Sequence, residues 1–155
     1  MVRKIVSGGQ TGTDRAALDF ALAHGYEVGG WVPKGRLAED GPIPGRYPGL
    51  RESDSPDPAV RTALNVRDSD ATLILSHGPL TGGSLLTFRE ATRAGKPVLH
   101  LDLDAVPREE AAHVLREWLA SQRPSVLNVA GPRASGDPWI AEATEAVLKG
   151  ALRGP

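Results

Sequence analysis

Three short stretches put glycine beside hydroxyl and charged side chains: Gly8-Gly9-Gln10-Thr11-Gly12-Thr13 followed by Asp14-Arg15, Thr81-Gly82-Gly83-Ser84, and Gly131-Pro132-Arg133-Ala134-Ser135-Gly136. Each stands between an apolar run and a helical pattern, which is an arrangement for holding an anion. The start of a helix presents unpaired N–H groups and the positive end of the helix dipole. Glycine lets the backbone approach a ligand without a Cβ in the way. Thr11, Thr13, Thr81 and Ser84 add hydroxyl donors on the same edge. Asp14 reads as the N-cap of the first helix. Arg15 falls in that helix's first turn, where a cation opposes the dipole, so it points to another task. The first stretch is neither a G-x-G-x-x-G fingerprint nor a Walker sequence, and it lacks the Lys-Ser/Thr ending of a P-loop, which argues against ATP hydrolysis of that kind. The plainer alternative is that the glycines only make tight turns. Three such turns in one chain, two of them rich in hydroxyls, favour a ligand site.

A second source of charge is the segment from Trp31 to Glu52. It sets Lys34, Arg36, Arg46 and Arg51 among prolines and glycines, with Trp31 and Tyr47 as rings able to stack on a planar ligand. Proline stiffens such a loop, so cations can be held in place at low entropic cost. Lys34 and Arg36 lie nearest the preceding strand and are the expected phosphate partners, with Arg133 from the third turn. The alternative is a solvated loop balanced by Glu39, Asp40 and Glu52. For acid–base chemistry the candidates are Asp14 and Glu90, with His77 as a partner for either; the plainer role for His77 is to end a strand. Asn128 interrupts a buried strand, a local conflict of the kind functional sites tolerate.

The elements that must position these residues alternate. Lys4–Ser7 reads as a strand, 14–24 as a helix stopped by Gly25, and Glu27–Val32 as a strand. Positions 34–58 form a long loop without periodicity. A helix follows at 59–68, and Ala71–Ser76 is an apolar run suited to a central parallel strand. Helices at 85–94, 107–121 and 138–152 alternate with strands at 98–101 and 125–130. This order implies an α/β fold: a single domain over residues 1–155 with a doubly wound, mostly parallel, Rossmann-like sheet and helices on both faces. In such a sheet, ligands bind beyond the carboxyl ends of the strands, where all three glycine turns fall.

Composition limits the function classes. A net charge of −1 gives no general attraction to nucleic acid or anionic membrane, and no apolar run has the length of a membrane span. There is no cysteine, and His24, His77, His100 and His113 are scattered, so no metal site built from protein side chains is expected. The segment before the first strand has no signal-peptide pattern, and a cytoplasmic protein is the expectation.

Several of these stretches also carry a resemblance. "SGGQTGTDRAAL", "GGWVPKGRLAEDGPIP" with "YPGLRES", and "DATLILSHG" with "TGGSLLT" and "AGKPVLHLDL" are similar to the molybdenum-carrier proteins, a circularly permuted branch of the SLOG Rossmann-like superfamily. The resemblance runs from Ile5 to about Leu148. It implies a Rossmann-like fold, a homo-oligomer, and a pocket for a phosphorylated nucleotide-like or pterin-like ligand, such as molybdenum cofactor. Position by position it implicates Gly8, Gly9, Gln10, Thr11, Gly12, Thr13, Asp14, Arg15, Lys34, Gly35, Gly82, Gly83, Ser84 and Thr87. The wider superfamily includes phosphoribohydrolases with a P-G-G-x-G-T-x-x-E signature. Here Leu85, Leu86 and Arg89 replace the third glycine, the threonine and the glutamate; Glu90 misses its place by one residue, about 100° around a helix. The expected function is therefore binding of a phosphorylated small ligand for carriage, storage or sensing. The alternative from another class is a hydrolase of a nucleotide-derived N-glycosidic or phosphate bond.

Overall fold

The computed structural model describes residues 1–152; the last three residues of the expected domain lie outside the described residues. In chain order the elements are β1 (Lys4–Val6), α1 (Thr13–Ala23), β2 (Glu27–Val32), β3 (Leu37–Ala38), β4 (Gly41–Pro42), β5 (Leu50–Glu52), α2 (Pro58–Arg67), β6 (Ala71–Ser76), α3 (Gly82–Arg93), β7 (Val98–Asp102), α4 (Arg108–Gln122), β8 (Val126–Ala130) and α5 (Ile140–Ala151). Six strands form one sheet in the order β5-β2-β1-β8-β6-β7, and every pairing in it is parallel. All six residues of β6 are buried, as its apolar run requires of a strand covered on both faces.

The helices divide between the two faces. α1, α5 and α4 pack in a row on one, and α2 and α3 pack together on the other. Connections that run toward β5 (β1 to β2, β7 to β8) use the first face, and those that run toward β7 (β5 to β6, β6 to β7) use the second. A single hand of crossover thus serves the whole sheet, as a right-twisted sheet demands. α5 lies between α1 and α4, the place a crossover from β8 to β1 would take. The element order is that of a doubly wound ring opened between α5 and β1. Ile5, Leu73, Leu75, Leu127 and Val129 from the strands and Leu18, Leu115, Ile140 and Leu148 from the helices are fully buried and fill the core.

Three expectations need correction. The segment 34–58 is not a featureless loop. It contains the β3–β4 hairpin and the edge strand β5, whose Leu50–Glu52 pair with Gly30–Val32 of β2. β5 has three half-buried or exposed residues, so pairing rather than hydrophobic alternation places it. α3 begins at Gly82, so Gly82-Gly83-Ser84 is the helix's first turn and not a linker before it. Asp14 does not cap α1: Gly12 is the N-cap, at φ +79°, and Asp14 lies inside the first turn. Gly12 is needed there. A Cβ would stand 2.3 Å from the Pro132 carbonyl oxygen, because the β1–α1 and β8–α5 turns touch at this residue. Gly12→Ala should therefore cost about 2 kcal/mol or more, read as a lowered midpoint in urea unfolding at unchanged slope.

Candidate functional site

A cleft of about 400 Å³ opens at the carboxyl ends of β1, β8 and β6. β8 leads to a helix on one face and β6 to a helix on the other, so the cleft sits at the sheet's topological switch point. One wall is the start of α3. Its N-cap Thr81 is extended and makes no side-chain cap. The first-turn amides have no acceptor within the helix and face the cleft, which Thr81, Gly82, Gly83 and Ser84 line. A Cβ at Gly82 or Gly83 would meet nothing within 4 Å, so no neighbouring segment crowds this turn, and Gly82 also stands at φ +52°, a conformation that favours glycine. Thr87, one turn on, donates its hydroxyl to the Gly83 carbonyl at 2.9 Å and steadies the turn.

The first glycine turn behaves differently, because its anion is internal. The Gln10 amide donates to the Asp14 carboxylate at 3.3 Å, and the Gly8 amide donates to it as well. Four further donors are also taken: Gly9 by the Ser7 hydroxyl, Thr11 by the Gln10 side chain, Thr13 by the Pro132 carbonyl and Arg15 by the Gln10 carbonyl. Arg61 reaches across from α2, donating to the Gly8 carbonyl at 2.6 Å and standing 3.5 Å from Asp14. Its guanidinium occupies the space a Cβ on Gly8 would need. Burial pushes the Asp14 carboxyl up to about 6, against the pull of Arg61, the Gln10 and Gly8 amides and Arg15.

His77 Nδ1 lies 2.6 Å from the Asp137 carboxylate, and both residues line the cleft. Ser76, at the end of β6, donates its hydroxyl to the Gly78 carbonyl at 2.6 Å and meets His100 Nε2 at 2.7 Å. Burial lowers the His100 imidazolium pKa, against the pull of Asp102. Asn128 lines the floor and donates to the Thr72 hydroxyl at 3.3 Å.

Of the residues expected at a site, the cleft brings together Gly8, Gln10, Asp14, Gly82, Gly83, Ser84, Thr87 and Arg133. Gly9, Thr11, Gly12 and Thr13 stand behind its edge; Thr11 joins Glu39 to the Ala134 amide. Arg15 is turned away, bound to both carboxylate oxygens of Asp40 and to the Gly9 carbonyl. Lys34, Gly35 and Arg36 do not line the cleft. The Gly35 amide donates to Glu52, and Arg36 donates to the Ile43 and Pro44 carbonyls inside its own hairpin. Trp31 donates to Asp68 under the Arg51 guanidinium, and Tyr47 donates to Asp19. Glu90 pairs with Arg93 on the helix surface. Sequence reasoning passed over Arg61, Thr62, Asn65 and Asp137, which also line the cleft. The one local signal was Asp137 beside Pro138 ahead of a helix.

Asp14 carries a testable pH signature. Its folded pKa is raised above its ordinary 3.8, so the folded state holds the proton more tightly than the unfolded chain, and this contribution falls away as pH rises from about 4 to 6. Relative to wild type, Asp14→Asn should gain up to about 2–3 kcal/mol between pH 4 and pH 7. Paired urea titrations across that range measure it; parallel curves would contradict the assignment.

Residues 5–152 match the family model described as the circularly permutated YpsA SLOG family. None of the curated proteins matches the chain. Among solved structures, a crystal structure from Syntrophus aciditrophicus, named there a "putative molybdenum carrier protein", is similar at 53% identity and a TM-score of 0.96. The alignment covers 98% of this chain and 96% of that one.

Proposed function

The chain belongs to the circularly permuted YpsA SLOG family, and from that premise we propose that it binds a phosphorylated, ring-bearing small molecule, nucleotide-like or pterin-like, in the switch-point cleft. The carrying observation is the start of α3, where uncapped amides and two unobstructed glycines face a cleft of ligand size. The phosphate sits on the amides of Gly82, Gly83 and Ser84, where the helix dipole favours it. Arg133 on the rim supplies a neutralising charge, and Ser84 and Thr81 supply hydroxyl donors. Thr62 and Asn128 offer polar edges to a heterocycle, while the Asn65 side chain is held by the Trp31 backbone. The Gly8–Thr13 turn positions Asp14 and Arg61 rather than the phosphate.

The name of the Syntrophus relative points to molybdenum carriage as the role of this binding. The residues present fit the phosphate and the ring of a pterin cofactor. They include no cysteine, and no group of three or more His, Asp or Glu able to hold a metal occurs among the described residues. Molybdenum would therefore enter the cleft as part of the cofactor.

Isothermal titration of the full-length protein with AMP, ADP-ribose, NAD, a pterin phosphate, molybdate and inorganic phosphate tests this reading. One of the phosphorylated ring compounds should bind, and Arg133→Ala should weaken it about tenfold or more. Lys34→Ala, lying outside the cleft, should leave the affinity unchanged. Absence of heat with every compound, together with no ligand copurifying by mass spectrometry, would refute the reading.

A further inference from the structure

The binding reading leaves the His77–Asp137 pair without a task. Asp137 Oδ1 accepts from the Trp139 amide at 3.1 Å, and its Oδ2 lies 2.6 Å from His77 Nδ1. A carboxylate on Nδ1 fixes the proton there and leaves the Nε2 lone pair bare. Nε2 has no hydrogen-bond partner among the described residues. The ring is partly exposed in the cleft wall. The other histidines are differently engaged: His24 binds the Phe20 carbonyl, His100 meets Ser76, and His113 lies against Glu117 on an exposed helix face. A ring oriented through one nitrogen, with the other free in a ligand cleft, is the arrangement of a general base.

Its neighbours narrow the chemistry. His77 lines the same cleft as Gly82–Ser84, so the base and a phosphate seated on α3 would share it. The Thr62, Ser76 and Thr87 hydroxyls are committed to the Pro58, Gly78 and Gly83 carbonyls and those of Thr81 and Ser84 are assigned to the phosphate, which points to water as the nucleophile. The groups that could protonate a leaving oxygen are engaged elsewhere: Asp14, though burial raises its pKa, is bound to the Gln10 and Gly8 amides and faces Arg61, and Glu90 is outside the cleft with Arg93. An alkoxide cannot depart readily without a proton, whereas a phosphate can. We propose that the protein hydrolyses a phosphoanhydride bond of a nucleotide-like ligand in this cleft, with His77 as the general base and Asp137 as its positioning residue. The inference rests on the binding reading above. Water forms the new P–O bond, the bridging P–O bond breaks with its electron pair leaving on the departing phosphate, and His77 Nε2 takes one water proton and releases it to solvent. Nothing is oxidised or reduced. The α3 amides and Arg133 stabilise the charge that develops on the attacked phosphate.

The test uses the full-length protein with ADP-ribose, NAD, ADP and inorganic pyrophosphate, followed by 31P NMR, with AMP as the monoester control and binding of each measured in parallel. At least one anhydride should be converted to phosphomonoester products, with oxygen from 18O-labelled water in one of them, while AMP persists. His77→Gln should lower kcat at least about 100-fold with Kd changed little. Asp137→Asn should lower kcat about tenfold or more and alter its pH profile, and Asp137→Glu should restore part of the rate; a merely structural role would move neither the profile nor the rescue. A probe that binds but is not consumed faster by wild type than by His77→Gln would overturn this inference and leave the binding reading standing. Failure of every probe to bind would overturn both.

Discussion

The Asp14 carboxylate is the point on which this edge of the sheet depends. It is buried, yet it collects the amides of Gly8 and Gln10 from the β1–α1 turn and the guanidinium of Arg61 from α2. α1 and α2 lie on opposite faces of the sheet, so this one ion pair spans the strand ends between them. Its cost is visible in the raised pKa of the carboxyl: burial outweighs all the donors together. A buried pair of this sort is poor evidence for net stability, but removing either partner leaves the other uncompensated. Its use is to hold the glycine turn in one shape and to aim Arg61 along the cleft.

With most donors of the first turn taken internally, the open helix start at this edge is that of α3. The contrast between the two turns is one of vacancy. At Gly8 and Gly12 the missing Cβ is replaced by protein, by Arg61 in one case and the Pro132 carbonyl in the other. At Gly82 and Gly83 it is replaced by open space. Glycine-rich turns that look alike in sequence therefore divide into those that let the chain approach itself and those that let a ligand approach the chain.

That division explains what could be read without coordinates. The apolar run of β6 and the alternation of strands and helices sufficed for the parallel, Rossmann-like architecture, because burial on two faces leaves a local signature. β5 left none: three residues with exposed Arg51 and Glu52 become a strand only because Gly30–Val32 offer them an unpaired edge. Arg61 was invisible for a related reason. Its contact with Gly8 spans 53 positions and exists only because Gly8 lacks a side chain. Lys34 and Arg36 drew attention as cations near a strand end, but the β3–β4 hairpin turns Arg36 back on its own carbonyls. Charge type was legible, whereas direction was not.

The place of β8 in the sheet has a bearing on how the molecule is assembled. β5, β2 and β1 form one block and β6 and β7 another, and only β8 joins them. Yet β8 is the last strand in chain order. As the chain leaves the ribosome, each block can pair its own strands, but the slot between β1 and β6 stays unfilled until residues 126–130 emerge. Both edges of that slot are bare hydrogen-bonding templates in the meantime. Completion of the sheet thus waits for residues 126–130 and requires insertion of a central strand, a non-local step that slows folding and lengthens exposure to chaperones and to self-association.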